Sequence, residues 1–193
     1  MNSIYISDQN YIHLNFSESP LQSSEYENCT FKNCNFEYAD FSCFKFNDCE
    51  FTDCNLSMAK LNSTAFRDVI FKDSKMLGLA FDSCNDFGLS FKFENCLLSN
   101  SIFYKLSLRK TVFKDCVLHE ADFTESDLRN AAFLNCDLSG ASFDRTNLEQ
   151  TDFRTAFNFA FNPDNNKMKG ARFSPSNLSG LLLHHKIIID RNA

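Results

Sequence analysis

The chain has no tryptophan and, in 193 residues, only five glycines and three prolines. Globular domains average roughly 7% Gly and 5% Pro, so ordinary Gly/Pro turns are too few to fold this chain back on itself. Another turn chemistry must do that work. The glycine shortage also excludes nucleotide loops: neither G-x-x-x-x-G-K-[ST] nor G-x-G-x-x-G occurs. No apolar run approaches the roughly 18 residues of a membrane span, so no membrane association is expected. The opening Met1-Asn2-Ser3-Ile4-Tyr5 lacks the basic and apolar segments of a signal peptide. The cytoplasm is the expected location, and there the nine cysteines stay thiols. A net charge of −6 argues against a direct grip on nucleic acid, which needs clustered Lys and Arg.

Phenylalanine is abundant instead, at 23 residues, and it is spaced. Phe31, Phe36, Phe41, Phe46, Phe51, Leu56, Leu61, Phe66, Phe71, Met76 and Phe81 sit five residues apart. A second run starts at Leu98 and alternates Leu and Phe through Phe103, Leu108, Phe113 and onward to Leu148 and Phe153. The two runs differ in phase by two residues, and the slip lies near 86–93, around Asp86-Phe87-Gly88. Two positions before each centre of the second run the residue is small, with Leu106 the one large exception. The position just before the centre is often Asp or Asn, as at Asn35, Asp40, Asp122, Asp137 and Asp152.

A period of five suits neither a helix, which wants 3.6, nor a long strand, which wants 2. Within one unit, however, positions −2 and 0 alternate as in a short strand and both can point inward. The other three positions face out and turn the corner. Fixed-period self-similarity of this kind signals a solenoid, whose units cannot bury their apolar side alone.

Units such as Ala121-Asp122-Phe123-Thr124-Glu125 and Cys136-Asp137-Leu138-Ser139-Gly140 resemble the A(D/N)LXX repeat of pentapeptide-repeat proteins, and the resemblance covers residues 26 to about 183. It implies an all-β fold: a right-handed, four-sided (quadrilateral) parallel β-helix, with four units to a coil. Coils should then lie about 4.8 Å apart. Residues 20 apart should stack, with Phe103, Phe123 and Phe143 on one wall and Phe113, Phe133, Phe153 and Phe173 on the opposite one. Leu98, Leu118 and Leu138 should fill a third wall, and Leu108, Leu128 and Leu148 the fourth.

This divides the chain into an N-terminal cap (1–25), the repeat β-helix (26–173) and a C-terminal helix/strand cap (174–193). Ser174-Pro175 reads as a helix start, with the helix running to about Leu183 and a short strand at Ile187–Ile189. Leu181, Leu182, Leu183, Ile187, Ile188 and Ile189 are too apolar for a free tail. They are the candidate interface of a homodimer joined through the C-terminus.

Little here suggests chemistry. Eight cysteines occupy the small inward position, their spacing is not that of a zinc site, and only Cys43 should face outward. His13, His119, His184 and His185 form no cluster with a Ser and an Asp. No catalytic set, cofactor or metal is expected. Residues 1–100 carry a balance of −7 and residues 101–193 one of +1. Asp40, Asp48, Glu50, Asp53, Asp68, Asp73 and Asp82 are the candidate acidic contact face. The resemblance implies a partner for it. Stand-alone members of this size, the Qnr-like, MfpA-like and albicidin-resistance groups, bind DNA gyrase and topoisomerase IV, protect them from poisons and dimerise through a C-terminal apolar element. One reading is therefore a DNA mimic that binds a type II topoisomerase; the other is a generic scaffold or regulator with an unknown protein partner.

Overall fold

The five-residue period becomes a string of three- and four-residue strands joined by corners. The computed structural model describes residues 4–22, 24–185 and 187. The strands are β1 (Tyr5–Ser7), β2 (Asn10–Ile12), β3 (Glu25–Glu27), β4 (Thr30–Lys32), β5 (Lys45–Asn47) and β6 (Glu50–Thr52). They continue as β7 (Ala65–Arg67), β8 (Val69–Lys72), β9 (Phe91–Glu94), β10 (Val112–Lys114) and β11 (Ala132–Leu134). All pairing between them is parallel, and it forms sheets ordered β1-β3-β5-β7 and β11-β10-β9-β8-β6-β4-β2. The protein is a parallel β-solenoid.

The register gives the coil length. Phe31 pairs with Phe51 and Phe113 with Phe133, 20 residues on. Four five-residue units thus complete one coil, and their centres stack in four columns. The same register links Tyr5 to Glu25 and Tyr11 to Phe31, so the coil geometry extends through the N-terminal segment. Between β8 and β9 the register changes: Phe71 pairs with Phe93. Two extra residues are accommodated there in a loop over Asp86–Leu89, closed by Leu89 N–H donating to the Asp86 carbonyl.

The corners explain the missing glycine. Two residues after nearly every centre the backbone takes positive φ, and among the described residues 24 such positions are not glycine. More than half are Asn or Asp, from Asp8 and Asn28 to Asn135 and Asn158. These residues tolerate the left-handed region best after glycine. Many corners are closed by a hydrogen bond to the centre's own carbonyl, as from Ala39 N–H to Phe36 O (2.9 Å) and Thr64 N–H to Leu61 O (3.0 Å). The Asp or Asn before the centre braces the same corner. Its carboxylate or amide oxygen accepts from the backbone N–H two residues on, at Asp40 (2.9 Å), Asp122 (2.9 Å) and Asp152 (3.1 Å).

The small inward position bonds as well as fits. Thr64 Oγ1 donates to Phe41 O (2.7 Å) and Thr146 Oγ1 to Phe123 O (2.8 Å). The Sγ atoms of Cys54 and Cys136 reach Phe31 O and Phe113 O at 3.3 Å. At these positions the hydroxyl or thiol both fills space and supplies a donor to a carbonyl of the preceding coil, whereas Ser126 Oγ is buried with no partner among the described residues and only fills space.

The core is a lattice of rings. In the first column nine aromatic residues stack from Tyr11 through Phe31, Phe51 and Phe71 to Phe173, with centroids 4.6–5.4 Å apart. Phe123 lies between Phe103 (4.9 Å) and Phe143 (5.1 Å) and is fully buried, as the 20-residue spacing requires. These two stacks meet edge to face; Phe103–Phe113 and Phe113–Phe123 are each 5.8 Å apart. Before the slip the first column meets a different partner, Tyr26, Phe46 and Phe66 of the fourth column. Phe81 and Phe91, 5.4 Å apart, make the changeover.

The C-terminal segment departs from the expected single helix. Pro175–Asn177 is a 3-10 turn, Ser179–Leu182 the only α-helix among the described residues (α1), and Leu183–His185 a second 3-10 turn. Asn177 explains the break. Its Oδ1 accepts from Ser174 N–H, while its Nδ2 caps two carbonyls of the last full coil, Phe153 O (3.0 Å) and Ala156 O (2.9 Å). Gly180 then seats α1 on Phe159, where any β-carbon would collide with the Phe159 carbonyl oxygen. Ile187 is exposed and lies in no strand; Ile188 and Ile189 fall outside the described residues.

Candidate functional site

The outward positions sort by column, and this sorting decides which charges are neighbours. The seven acidic residues singled out above do not form one stripe. Asp40 and Asp82 lie on the face of the third column, the Phe41–Phe143 column. Asp48 and Asp68 occupy successive corners between the fourth and first columns, and Asp53 and Asp73 successive corners between the first and second. Glu50 lies on the first-column face and is paired with Lys72 (3.3 Å). That face also carries Lys32, Lys92 and Lys114. Part of the acidic excess therefore has a conformational cause, since four of the seven hold positive-φ corners.

Two of them converge on a groove. Asp48, Asp68, Ser90 and Lys92 line a depression of about 240 Å³ beside the two-residue insertion, and Ser90 Oγ donates to Asp68 (3.0 Å). A larger cleft, about 570 Å³, lies between α1 and the last coils, lined in part by Ser139, Phe157, Asn158 and Leu183. Of the C-terminal apolar residues, Leu181 packs against the core, whereas Leu182, Leu183 and Ile187 are exposed.

The third-column face carries four carboxylates beside its centres, Asp40, Asp82, Asp122 and Asp144, against one lysine, Lys60. Its corners add Glu125 and two cations, Lys105 and Arg145, which pair with Glu125 (3.4 and 2.9 Å), and Arg145 also reaches Asp144 (3.6 Å). Asp122 and Asp144 were missed from sequence because the slip hides the alignment of Asp122 with Asp40 and of Asp144 with Asp82. Once the coil is known to lengthen by two, the spacing from Asp82 through Tyr104 and Thr124 to Asp144 reads as one line.

A Ser/His/Asp grouping does occur, contrary to the sequence reading. The coil register stacks His119 above Ser139, and both meet Asp137: His119 Nε2 is 3.0 Å from Oδ2, and Ser139 Oγ donates to Oδ1 (2.7 Å). Asn158 Nδ2 donates to the same Oδ1 (3.0 Å). Burial alone would raise the Asp137 carboxyl, but the bonds from His119, Ser139 and Asn158 outweigh it and hold the pKa at about 2. The contacts run serine to aspartate and histidine to aspartate. The serine has no base, so this is not a nucleophile arrangement.

Thiol chemistry is equally muted. Eight cysteines are buried and Cys43 is exposed. Burial pushes Cys49, Cys54 and Cys84 up to about 12. Among the described residues no group of three or more His, Cys, Asp or Glu is placed to hold a metal ion, and no helix is long and apolar enough to cross a membrane.

Two family models match this chain. One, described as pentapeptide repeats (8 copies), covers residues 49–85, and the other, a pentapeptide repeat region, covers residues 89–156. The chain belongs to the pentapeptide-repeat family. The boundary between the two matches falls in the loop where the coil lengthens. No curated protein sequence matches this pentapeptide-repeat chain. Among solved structures, a trypsin-treated form of QnrB1, a plasmid-mediated fluoroquinolone resistance protein, is similar at 20% identity. That alignment has a TM-score of 0.45 and covers 96% of this chain and 100% of the trypsin-treated chain. HetL, a pentapeptide-repeat protein involved in heterocyst differentiation regulation from the cyanobacterium Nostoc sp. strain PCC 7120, is similar at 14% identity. There the TM-score is 0.33, with 89% and 87% of the two chains covered.

Proposed function

We propose that this pentapeptide-repeat protein is a non-enzymatic rod that binds a protein partner through its outer faces. The observation that carries this reading is the third-column face, where Asp40, Asp82, Asp122 and Asp144 stand beside the centres against Lys60, while the corner cations Lys105 and Arg145 are engaged by Glu125. The finer reading is a partner with a basic, DNA-binding groove, with DNA gyrase or topoisomerase IV the first to test and Asp40, Asp82, Asp122 and Asp144 as the contact residues. The remaining predicted acids, Asp48, Glu50, Asp53, Asp68 and Asp73, would flank rather than form that contact. Long-range complementarity of this kind steers association and selects orientation.

Charge density favours keeping a second reading. Four carboxylates over five coil steps of about 4.8 Å give roughly one charge per 6 Å, whereas duplex DNA presents about one per 1.7 Å. A scaffold for a less basic protein partner needs no more than this. A gyrase supercoiling assay with and without ciprofloxacin separates the two. Inhibition of supercoiling, or protection from the drug, that is lost in Asp82→Lys/Asp122→Lys supports the topoisomerase partner. No effect at a large molar excess leaves the scaffold reading. The end-to-end homodimer belongs with the first reading, because a rod of about 40 Å doubles to about 80 Å when two copies join at Leu182, Leu183 and the apolar tail. Light scattering on a chain lacking residues 181–193 tests that contact.

A further inference from the structure

The charge difference between the two halves of the chain is concentrated on one face. In the fourth column, Ile6, Tyr26, Phe46 and Phe66 lie before the insertion, and Leu108, Leu128, Leu148 and Met168 after it. On the outward positions and following corners of the first four coils stand five carboxylates (Asp8, Glu25, Glu27, Asp48, Asp68) and two cations (Lys45, Arg67). The last four coils reverse this, with five cations (Arg109, Lys110, Arg129, Lys167, Lys169) and two carboxylates (Asp127, Glu149). Midway between them, on the inserted loop, Phe87 is 77% exposed, with the Arg67 guanidinium 5.8 Å from its ring centre.

We propose that two copies of the chain associate side by side and antiparallel through this face. A twofold axis at the level of Phe87 lays the acidic end of each rod on the basic end of the other. Parallel association would set like charge on like charge along the whole contact. The contact is isologous and closes as a dimer, with an apolar centre at Phe87 and a polar rim. Some of these charges are spent within one copy: Lys45 pairs with Glu25 (3.0 Å), and Asp127 with Arg109 (2.6 Å) and Arg129 (2.7 Å). Others are not. Among the described residues Lys167 and Lys169 are exposed and make no ion pair, while Asp8 and Glu27 pair with no cation and bond to the neutral Asn28 and Tyr5. These unpaired charges, on the first two coils and the last, set the orientation. This contact is independent of the gyrase reading and of the C-terminal contact.

The test is the mass of the full chain by sedimentation velocity at about 20 mM and about 500 mM salt, conditions that lengthen and shorten the screening distance. Wild type should be dimeric at low salt and monomeric at high salt, whereas an apolar end-to-end contact would persist. Lys167→Glu/Lys169→Glu and Asp8→Lys/Glu27→Lys should each be monomeric alone at low salt, and an equimolar mixture should recover the dimer. That recovery also proves that both variants fold, and no contact confined to the C-terminus produces it. Phe87→Ala should weaken the wild-type dimer. A monomeric wild type at low salt, a monomeric mixture, or reversed variants that dimerise as well as wild type would each overturn the proposal.

Discussion

Each five-residue unit places two side chains inside and sets one residue at a left-handed corner, and nearly every residue preference follows from that division. Phe123 is the clearest inward case, stacked on both sides and fully buried. Phe123→Ala should destabilise the protein by about 3–5 kcal/mol in chemical denaturation; a loss below about 1 kcal/mol would mean the column does not hold the fold together. The small inward position makes a second prediction. With eight thiols buried, a thiol reagent should modify Cys43 alone in the native protein and all nine cysteines after denaturation. Fast native modification of Cys96 or Cys136 would contradict the burial. The inward positions were legible in the sequence because Phe and Leu recur there. The corners were not: Tyr38, Met58, Lys105 and Arg145 share positive φ with Asn33 and Asp53, and nothing in a Met or an Arg announces that conformation.

At the scale of elements, strands of three residues hold because the interior ones are paired on both sides, so the ends need special devices. At the C-terminal end Asn177 and Gly180 supply them. Gly180→Ala should force α1 away from Phe159, lower Tm by several degrees and leave the coils upstream intact. Unchanged hydrogen-exchange protection around Leu178–Leu182 would show that the seat is not needed. The capping turn was anticipated at Ser174-Pro175, but the break at Asn177 was not, because it answers carbonyls of Phe153 and Ala156, more than 20 residues away in sequence. The Asp137 cluster is the acid-sensitive element. Its carboxyl is depressed below the ordinary value in the folded state, so its contribution is complete above about pH 4 and fades as the pH falls towards 2. Asp137→Asn should lower Tm at pH 7 and flatten its decline below pH 4. A variant that loses stability on acidification as steeply as wild type would refute that role.

At the scale of the whole molecule, faces carry meaning that the linear order conceals. Asp40, Asp82, Asp122 and Asp144 share a face although about 40 and 20 residues separate them, and an acidic half-chain became two different surfaces once the coils sorted it. The register is the reason. A coil is a frame of 20 residues, and a change in length acts like a shift in a reading frame. Removing residues 103–122 should excise one storey, join Ile102 to Phe123 in register and shorten the rod by about 4.8 Å. Removing only residues 103–107 should turn every later face by one position, placing leucines where the rings had stacked. The two extra residues near Phe87 escape that penalty because they bulge outward and return the chain to the same column. The protein therefore keeps its alignment across an insertion that would scramble it if the added residues stayed in the wall. The same loop position could take a longer insert, such as a reporter peptide, without disturbing the storeys on either side.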